Sequence, residues 1–245
     1  MQRRIRGKRR RSWLKSNGIW SVGVTQEHDL GEAFYSAYAA GTLDPALQLL
    51  VETQAALRSE VRRELAIADS IGGHFLHNET PVEMAPNALS TVMNKLDALE
   101  VADAQKVRQA AAVAGQMVDE LIKLPDPLQE IALQNSVDNG WKFGGKGLRI
   151  LPINVSEDVT TELLRIEPGC GAPRHTHAGS EYTLVVAGGF TDEYGSYGPG
   201  DISIVGSEHT HKPVADEGEV CFALAVRDGD LKFEGLLGVI QKIFG

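Results

Sequence analysis

His175 and His177 stand two residues apart, and Glu181 follows four further on. Residues two apart on a β-strand point to the same face, so the imidazoles of His175-Thr176-His177 are aimed together. Ala178-Gly179-Ser180 is a turn-prone break, after which Glu181 opens Tyr182-Thr183-Leu184-Val185-Val186, a run of strong strand formers ending at Gly188-Gly189. A Pro199-Gly200-Asp201 turn then leads through Ile202-Ser203-Ile204 to two more histidines, His209 and His211. Two imidazoles and one carboxylate, joined by a third imidazole from this distant strand, make a nitrogen/oxygen site for a divalent metal. By residue type either His209 or His211 can supply that third ring.

The intervals resemble the signature of the cupin family. Its first motif is Gly, five residues, His-x-His, three or four residues, Glu, six residues, Gly, and it falls on Gly169, His175, His177, Glu181 and Gly188 with every interval kept. Its second motif places a His ten residues after the aspartate of a Pro-Gly-Asp turn, which from Asp201 selects His211 over His209. The resemblance implies a small β-barrel, the double-stranded β-helix, with the metal held inside by His175, His177, Glu181 and His211. The competing reading is surface histidines in an ordinary β-domain, and five matched intervals stand against it. Zinc is the first expectation for the ion, with iron, manganese and nickel open, because this donor set suits several metals.

Composition frames the site. A length of 245 residues suits one large domain or two modest ones, and 42% hydrophobic with 23% charged residues is ordinary for a soluble globular chain. No apolar run approaches the roughly 20 residues that span a bilayer. Cys170 and Cys221 both fall in expected strands, and two thiols in such a length point to a reducing, cytoplasmic setting without a disulfide framework. Residues 1–25 hold eight Lys or Arg and no acid; the remainder carries 16 bases against 33 acids, a balance of −17. An acidic body disfavours direct nucleic-acid binding and favours a basic protein partner. Within the basic arm, Arg10-Arg11-Ser12-Trp13-Leu14-Lys15 is somewhat like a twin-arginine signal, but Ser16-Asn17-Gly18 interrupts it and no small-residue cleavage site follows. A disordered tail over 1–25 is the expectation.

Upstream of the histidines the apolar period is helical. Asp29, with Glu32 three residues on, reads as an N-cap for Leu30, Ala33, Phe34, Ala37 and Tyr38, and Gly41 as the stop. Asp44-Pro45 restarts a helix whose stripe runs Leu47, Leu50, Leu57, Val61, Leu65, Ala68 and Ile71 to Gly72-Gly73, with a break expected near Arg58-Ser59. Asn87 caps a shorter helix with Leu89, Val92, Met93, Leu96 and Leu99 on its inner face, completing a small helical bundle over 26–100. A further amphipathic helix between Asp103 and Lys123, its inner face rich in alanine, fills 101–125 and is compatible with a homodimer contact. Leu124-Pro125-Asp126-Pro127 breaks it. The period then switches to two in Leu148-Arg149-Ile150-Leu151, Thr161–Ile166 and Phe222–Val226, so 126–245 reads as the β-domain, with an apolar tail from Phe233 to Phe244 laid along it. The fold class is therefore α+β, a small helical bundle followed by a cupin barrel.

This order of domains resembles the ChrR-type anti-sigma factors over roughly residues 25–245. The likeness rests on Ala37-Tyr38-Ala39-Ala40-Gly41-Thr42-Leu43 and Leu49-Leu50-Val51-Glu52-Thr53 in the helices, and on Tyr197-Gly198-Pro199-Gly200-Asp201 and His211-Lys212-Pro213 in the cupin half. It implies that the helices bind an extracytoplasmic-function (ECF) sigma factor, and that the cupin domain serves its release under oxidative stress such as singlet oxygen. One departure matters. The family's helical domain binds zinc through His-x-x-x-Cys-x-x-Cys and an upstream His, where this chain has Gln54, Arg58 and Val61, with only His28 remaining upstream. These residues cannot make a structural zinc site, so no N-terminal zinc is expected. Positions 54, 58 and 61 are expected to share one helical face, and His74 and His77 to lie past the helix end as surface residues.

Three functions compete on these grounds. The first is an anti-sigma regulator whose cupin metal site, with or without a small-molecule ligand in the barrel, senses a signal. The second is a cupin metalloenzyme, dioxygenase-like or a related hydrolase or isomerase, in which Tyr182 or Tyr194 would support the metal ligands. The third is a metal-stabilised binding domain with a vestigial helical appendage.

Overall fold

A computed structural model describes residues 30–113 and 118–233, the side chains of 101–113 and 232–233 excepted. The basic arm, His28, Asp29, the tail beyond Phe233 and the alanine-rich face expected after Asp103 lie outside the described residues and side chains. Helices α1 (Glu32–Ala39), α2 (Pro45–Leu57), α3 (Ser59–His77), α4 (Ala88–Val113), α5 (Val118–Leu121) and α6 (Leu128–Asp138) precede the strands.

Local chemistry accounts for most helix boundaries. Asp44 caps α2 by accepting from the Ala46 amide at 2.9 Å, and Pro45 fills the first helical position, where a missing N–H costs nothing. The N-cap of helix α1 is Gly31, at φ 81°, two residues after the expected cap Asp29, so the helix starts at Glu32. The chain leaves helical geometry at Arg58 alone (φ −120°, ψ 121°), so α2 and α3 meet at a one-residue corner. Gln54 and Val61 consequently sit on different helices, and the expected common face for positions 54, 58 and 61 is not formed. Helix α3 also runs through Gly72-Gly73, placing His74 and His77 in its exposed last turn. Glycine in a helix interior costs about 1 kcal/mol relative to alanine, too little to end a helix with good formers on both sides.

Two further expectations are corrected. Residues 88–113 form one helix of 26 residues in place of two shorter ones. Its Leu89, Val92, Met93, Leu96 and Leu99 are not an inner face: all five are between 48% and 74% exposed. Helix α6 was not foreseen, although Leu128, Ile131, Ala132 and Asn135 carry the i, i+3, i+4, i+7 signature, and Leu128, Ala132 and Asn135 are buried.

Twelve strands follow among the described residues: β1 (Lys142–Gly145), β2 (Leu148–Pro152), β3 (Thr160–Ile166), β4 (His175–His177), β5 (Glu181–Ala187), β6 (Phe190–Thr191), β7 (Ser196–Tyr197), β8 (Ile202–Val205), β9 (Thr210–His211), β10 (Val214–Ala215), β11 (Cys221–Arg227) and β12 (Leu231–Phe233). They form a six-stranded sheet, β1-β2-β3-β11-β5-β8, and two three-stranded sheets, β10-β6-β7 and β12-β4-β9, rather than a single closed ladder. Strand alternation divides the large sheet in two. Leu163, Tyr182, Leu184, Leu224 and Val226 join the core beneath the helices. Leu164, Glu181, Thr183, Ala223, Ala225 and Arg227 face an interior cavity.

Helices and sheet share one continuous core, in which Leu47, Leu50 and Leu163 are fully buried. Each such leucine contributes on the order of 1.5–3 kcal/mol. Phe34 meets Tyr182 edge-on at 5.4 Å between ring centroids, and Ser156 donates to the Asp44 carboxylate at 2.9 Å. Among the described residues no helix is long and apolar enough to cross a membrane.

Candidate metal centre

The local period of two places His175 and His177 on one face of β4, both buried. Glu181, the first residue of β5, points inward across the Ala178-Gly179-Ser180 break. The third imidazole arrives by register: β4 pairs antiparallel with β9, with His175 opposite His211. Nε2 of His211 lies 3.1 Å from Nε2 of His177 and 3.2 Å from Nε2 of His175. One coordinating atom from each of His175, His177, Glu181 and His211 falls within 4.8 Å of the others, and all four residues are buried. His209 is elsewhere. Its Nδ1 accepts from the Gly206 amide at 2.9 Å and its ring lies against Tyr194, which stabilises the turn before β9.

Hydrogen bonding sets the tautomers of two rings. His175 Nδ1 donates to the Pro173 carbonyl at 2.7 Å, and His211 Nδ1 donates to the Asp192 carboxylate at 2.9 Å. Each is left with an inward-facing Nε2 lone pair. Burial holds His175 below the ordinary imidazole range and pushes His177 down to about 4, so these two rings are neutral at neutral pH. Neutral lone pairs crowded on one point repel one another unless a cation lies between them. The Glu181 carboxylate accepts from Thr183 at 3.0 Å and stands 3.7 Å from Nδ1 of His177, a buried nitrogen with no hydrogen-bond partner. Such an orphan is costly in a folded protein. This set of three imidazoles and a carboxylate fits a divalent cation.

Asp192 is the residue that sequence reasoning missed. Its side chain is fully buried; Oδ2 holds His211, while Oδ1 accepts from the amides of Tyr194 at 2.8 Å and Gly195 at 3.1 Å. A carboxylate behind a ligating imidazole fixes ring orientation and raises its basicity. The tyrosines expected in that supporting role do other work. Tyr182, next to Glu181 on β5, necessarily faces the opposite side and packs under the helices. Tyr194 donates to the Thr210 carbonyl.

Beside the four residues lies a cavity of about 100 Å³, walled by Leu148, Ile150, Leu164, Ile166 and Phe190. A wider polar cleft of about 670 Å³ runs along 152–162 and 227–230 outside it. The two share only Glu162 and Arg227, which form an ion pair standing between cleft and cavity.

A buried three-His-one-Glu cluster in antiparallel strands, behind a helical segment, defines a cupin-like domain with an N-terminal helical domain. Residues 129–227 match the ChrR cupin-like domain family. The chain is 34% identical over 221 residues to the anti-sigma-E factor ChrR of Cereibacter sphaeroides, covering 90% of this chain and 99% of that protein. The chain belongs to the ChrR family of anti-sigma factors. A crystal structure of Rhodobacter sphaeroides SigE in complex with the anti-sigma ChrR is similar at a TM-score of 0.62 and 32% identity, covering 83% of this chain and all of that one.

Proposed function

We propose that this chain is a cytoplasmic anti-sigma factor that binds an ECF sigma factor through its helices. The cupin domain holds one divalent metal through His175, His177, Glu181 and His211, and adjusts that binding to a stress signal. The observation that carries the reading is an uncovered apolar surface. Ile67, Ile71 and Phe75 recur every fourth residue along α3 and are 55–68% exposed. The Leu89–Leu99 stripe of α4 is exposed as well. Helical stripes of this kind are suited to docking against a partner's apolar groove and are a liability without one. A solved ChrR is in complex with a sigma factor, and family membership makes an ECF sigma factor the partner of choice. Oxidative stress is the signal by the same kinship.

The metal reading rests on the neutral, mutually facing imidazoles, with zinc first among the candidate ions. Elemental analysis of purified protein beside a His177→Ala variant tests it: one metal per chain, lost in the variant, is expected. Titration of purified ECF sigma factor into the protein tests the partner. Failure to bind any ECF sigma factor encoded in the same genome would overturn the proposal.

A further inference from the structure

We infer that Gln54 and Arg58 form a joint through which the condition of the metal centre reaches helix α3. Regulation of the helices by the cupin domain, the function proposed above, then has a defined physical route.

The joint lies where the one-residue corner between α2 and α3 meets the Pro199-Gly200-Asp201 turn. Gln54, fully buried, donates from Nε2 to the Gly200 carbonyl at 3.0 Å. Arg58 pairs with Asp201 at 2.7 Å, with both side chains largely shielded from water. The fit is close: a Cβ on Gly200 would stand 2.6 Å from Cγ of Arg58, and the φ of 87° there also calls for glycine. Gln54 is held from behind as well, since Tyr35 of α1 donates to its Oε1 at 3.5 Å.

From the turn, two strands lead to the metal ligands. Gly200 and Asp201 are pinned to β5 by the Gly200 amide on the Val185 carbonyl (2.8 Å) and the Val185 amide on the Asp201 carbonyl (3.0 Å). Strand β5 begins at Glu181, whose partner across the ladder is Val205, the last residue of β8. Strand β8 begins next to Asp201 and, after one turn, delivers His211 on β9. A shift of Glu181 is therefore passed along the β5–β8 ladder to Asp201, and a shift of His211 enters β8 through the short turn that joins it to β9, because packed elements move as units and do not deform continuously. On the helical side Arg58 is both the last cap of α2 and the first cap of α3. Its position sets the direction of the helix that bears Ile67, Ile71 and Phe75. Among the described residues, the corner is the place where a polar contact from the cupin domain falls at the origin of that helix.

Hydrogen–deuterium exchange of the α3 backbone, read by mass spectrometry on the full chain without any sigma factor, tests the joint. Four proteins form a cycle: the natural chain, Arg58→Gln, His211→Ala and the double variant, with Gln54→Leu as a second way to break the joint and Arg58→Lys as the conservative control. Arg58→Gln and His211→Ala are each expected to speed exchange over residues 59–66 by about tenfold, the size of one lost charge-assisted hydrogen bond. The double variant is expected to match either single variant, and Arg58→Lys to stay within about threefold of the natural chain. Independent, multiplicative effects in the double variant would overturn the inference, as would unchanged α3 exchange in His211→Ala. The same comparison after chelation, with metal content measured on the sample, separates the two proposals. A chain that carries no metal refutes the metal centre, while the His211→Ala cycle still decides the joint.

Discussion

Replacing Asp192 by asparagine removes one charge and no volume, and the structure sets what that costs. Asp192 Oδ2 accepts from His211 Nδ1 at 2.9 Å while Oδ1 accepts from two backbone amides, so both side-chain oxygens at this position must act as acceptors. Asparagine has one acceptor and one donor. If its oxygen faces His211, its NH₂ meets the amides of Tyr194 and Gly195, donor against donor. If it flips, the NH₂ meets Nδ1–H of His211 and drives the proton to Nε2, destroying the lone pair aimed into the cluster of His175, His177 and Glu181. Either way a buried, charge-assisted hydrogen bond is lost, at about 1.5–3 kcal/mol. Loss of a carboxylate behind a ligating imidazole typically weakens metal binding about 10- to 100-fold, equivalent to about 1.4–2.8 kcal/mol, so the two routes agree. Competition against a chromophoric chelator measures the affinity, with circular dichroism to show that the variant is folded. A folded Asp192→Asn protein that binds metal within about threefold of the natural chain would refute the orienting role.

Three other outcomes are expected. Ile71→Glu and Leu96→Glu alter exposed helix positions, so they should leave the melting temperature nearly unchanged while weakening sigma-factor binding by about tenfold or more, read by calorimetric titration. In metal-free protein, His175 and His177 are held neutral by burial and their folded-state pKa values are depressed. The unfolded chain then binds more protons below the ordinary value near 6.5, so stability is complete above that pH, falls as pH drops from about 6.5 towards about 4, the His177 value, and levels off below it. His177 alone accounts for about 3 kcal/mol, and a denaturation midpoint that is flat from pH 7.5 to 4.5 would contradict this. Cys221 is buried, with its thiol pushed up to about 12, whereas Cys170 is half-buried. A thiol reagent should therefore find one fast cysteine in the native protein and two after denaturation, and two fast ones would contradict the burial.

How far the site was legible depended on the range of the interactions that build it. His175, His177 and Glu181 were readable because the period of a strand is local and every interval lies within a dozen residues. Choosing His211 over His209 needed the cupin spacing, because the structural reason is the β4–β9 register across more than thirty residues of chain. Asp192 was not legible, since Asp-Glu-Tyr-Gly reads as turn composition and only tertiary placement brings it behind His211. The helices show the same division. Asp44-Pro45 announced a boundary through local capping, but α3 continued past Gly72-Gly73 because weak local penalties yield to a helix already formed. The stripe on α4 was read correctly as apolar and wrongly as internal: a sequence reports that a face will be buried without saying by what. A chain that belongs to a partner-binding family can write part of its core for another molecule, and the exposed leucines of α4 are where that possibility shows. The same reasoning applies to Gln54 and Arg58. Read against the family's zinc pattern they registered only as missing ligands, yet their polar groups hold the cupin turn. A position that gives up a metal ligand must still satisfy its buried surroundings, and here it does so across the domain boundary.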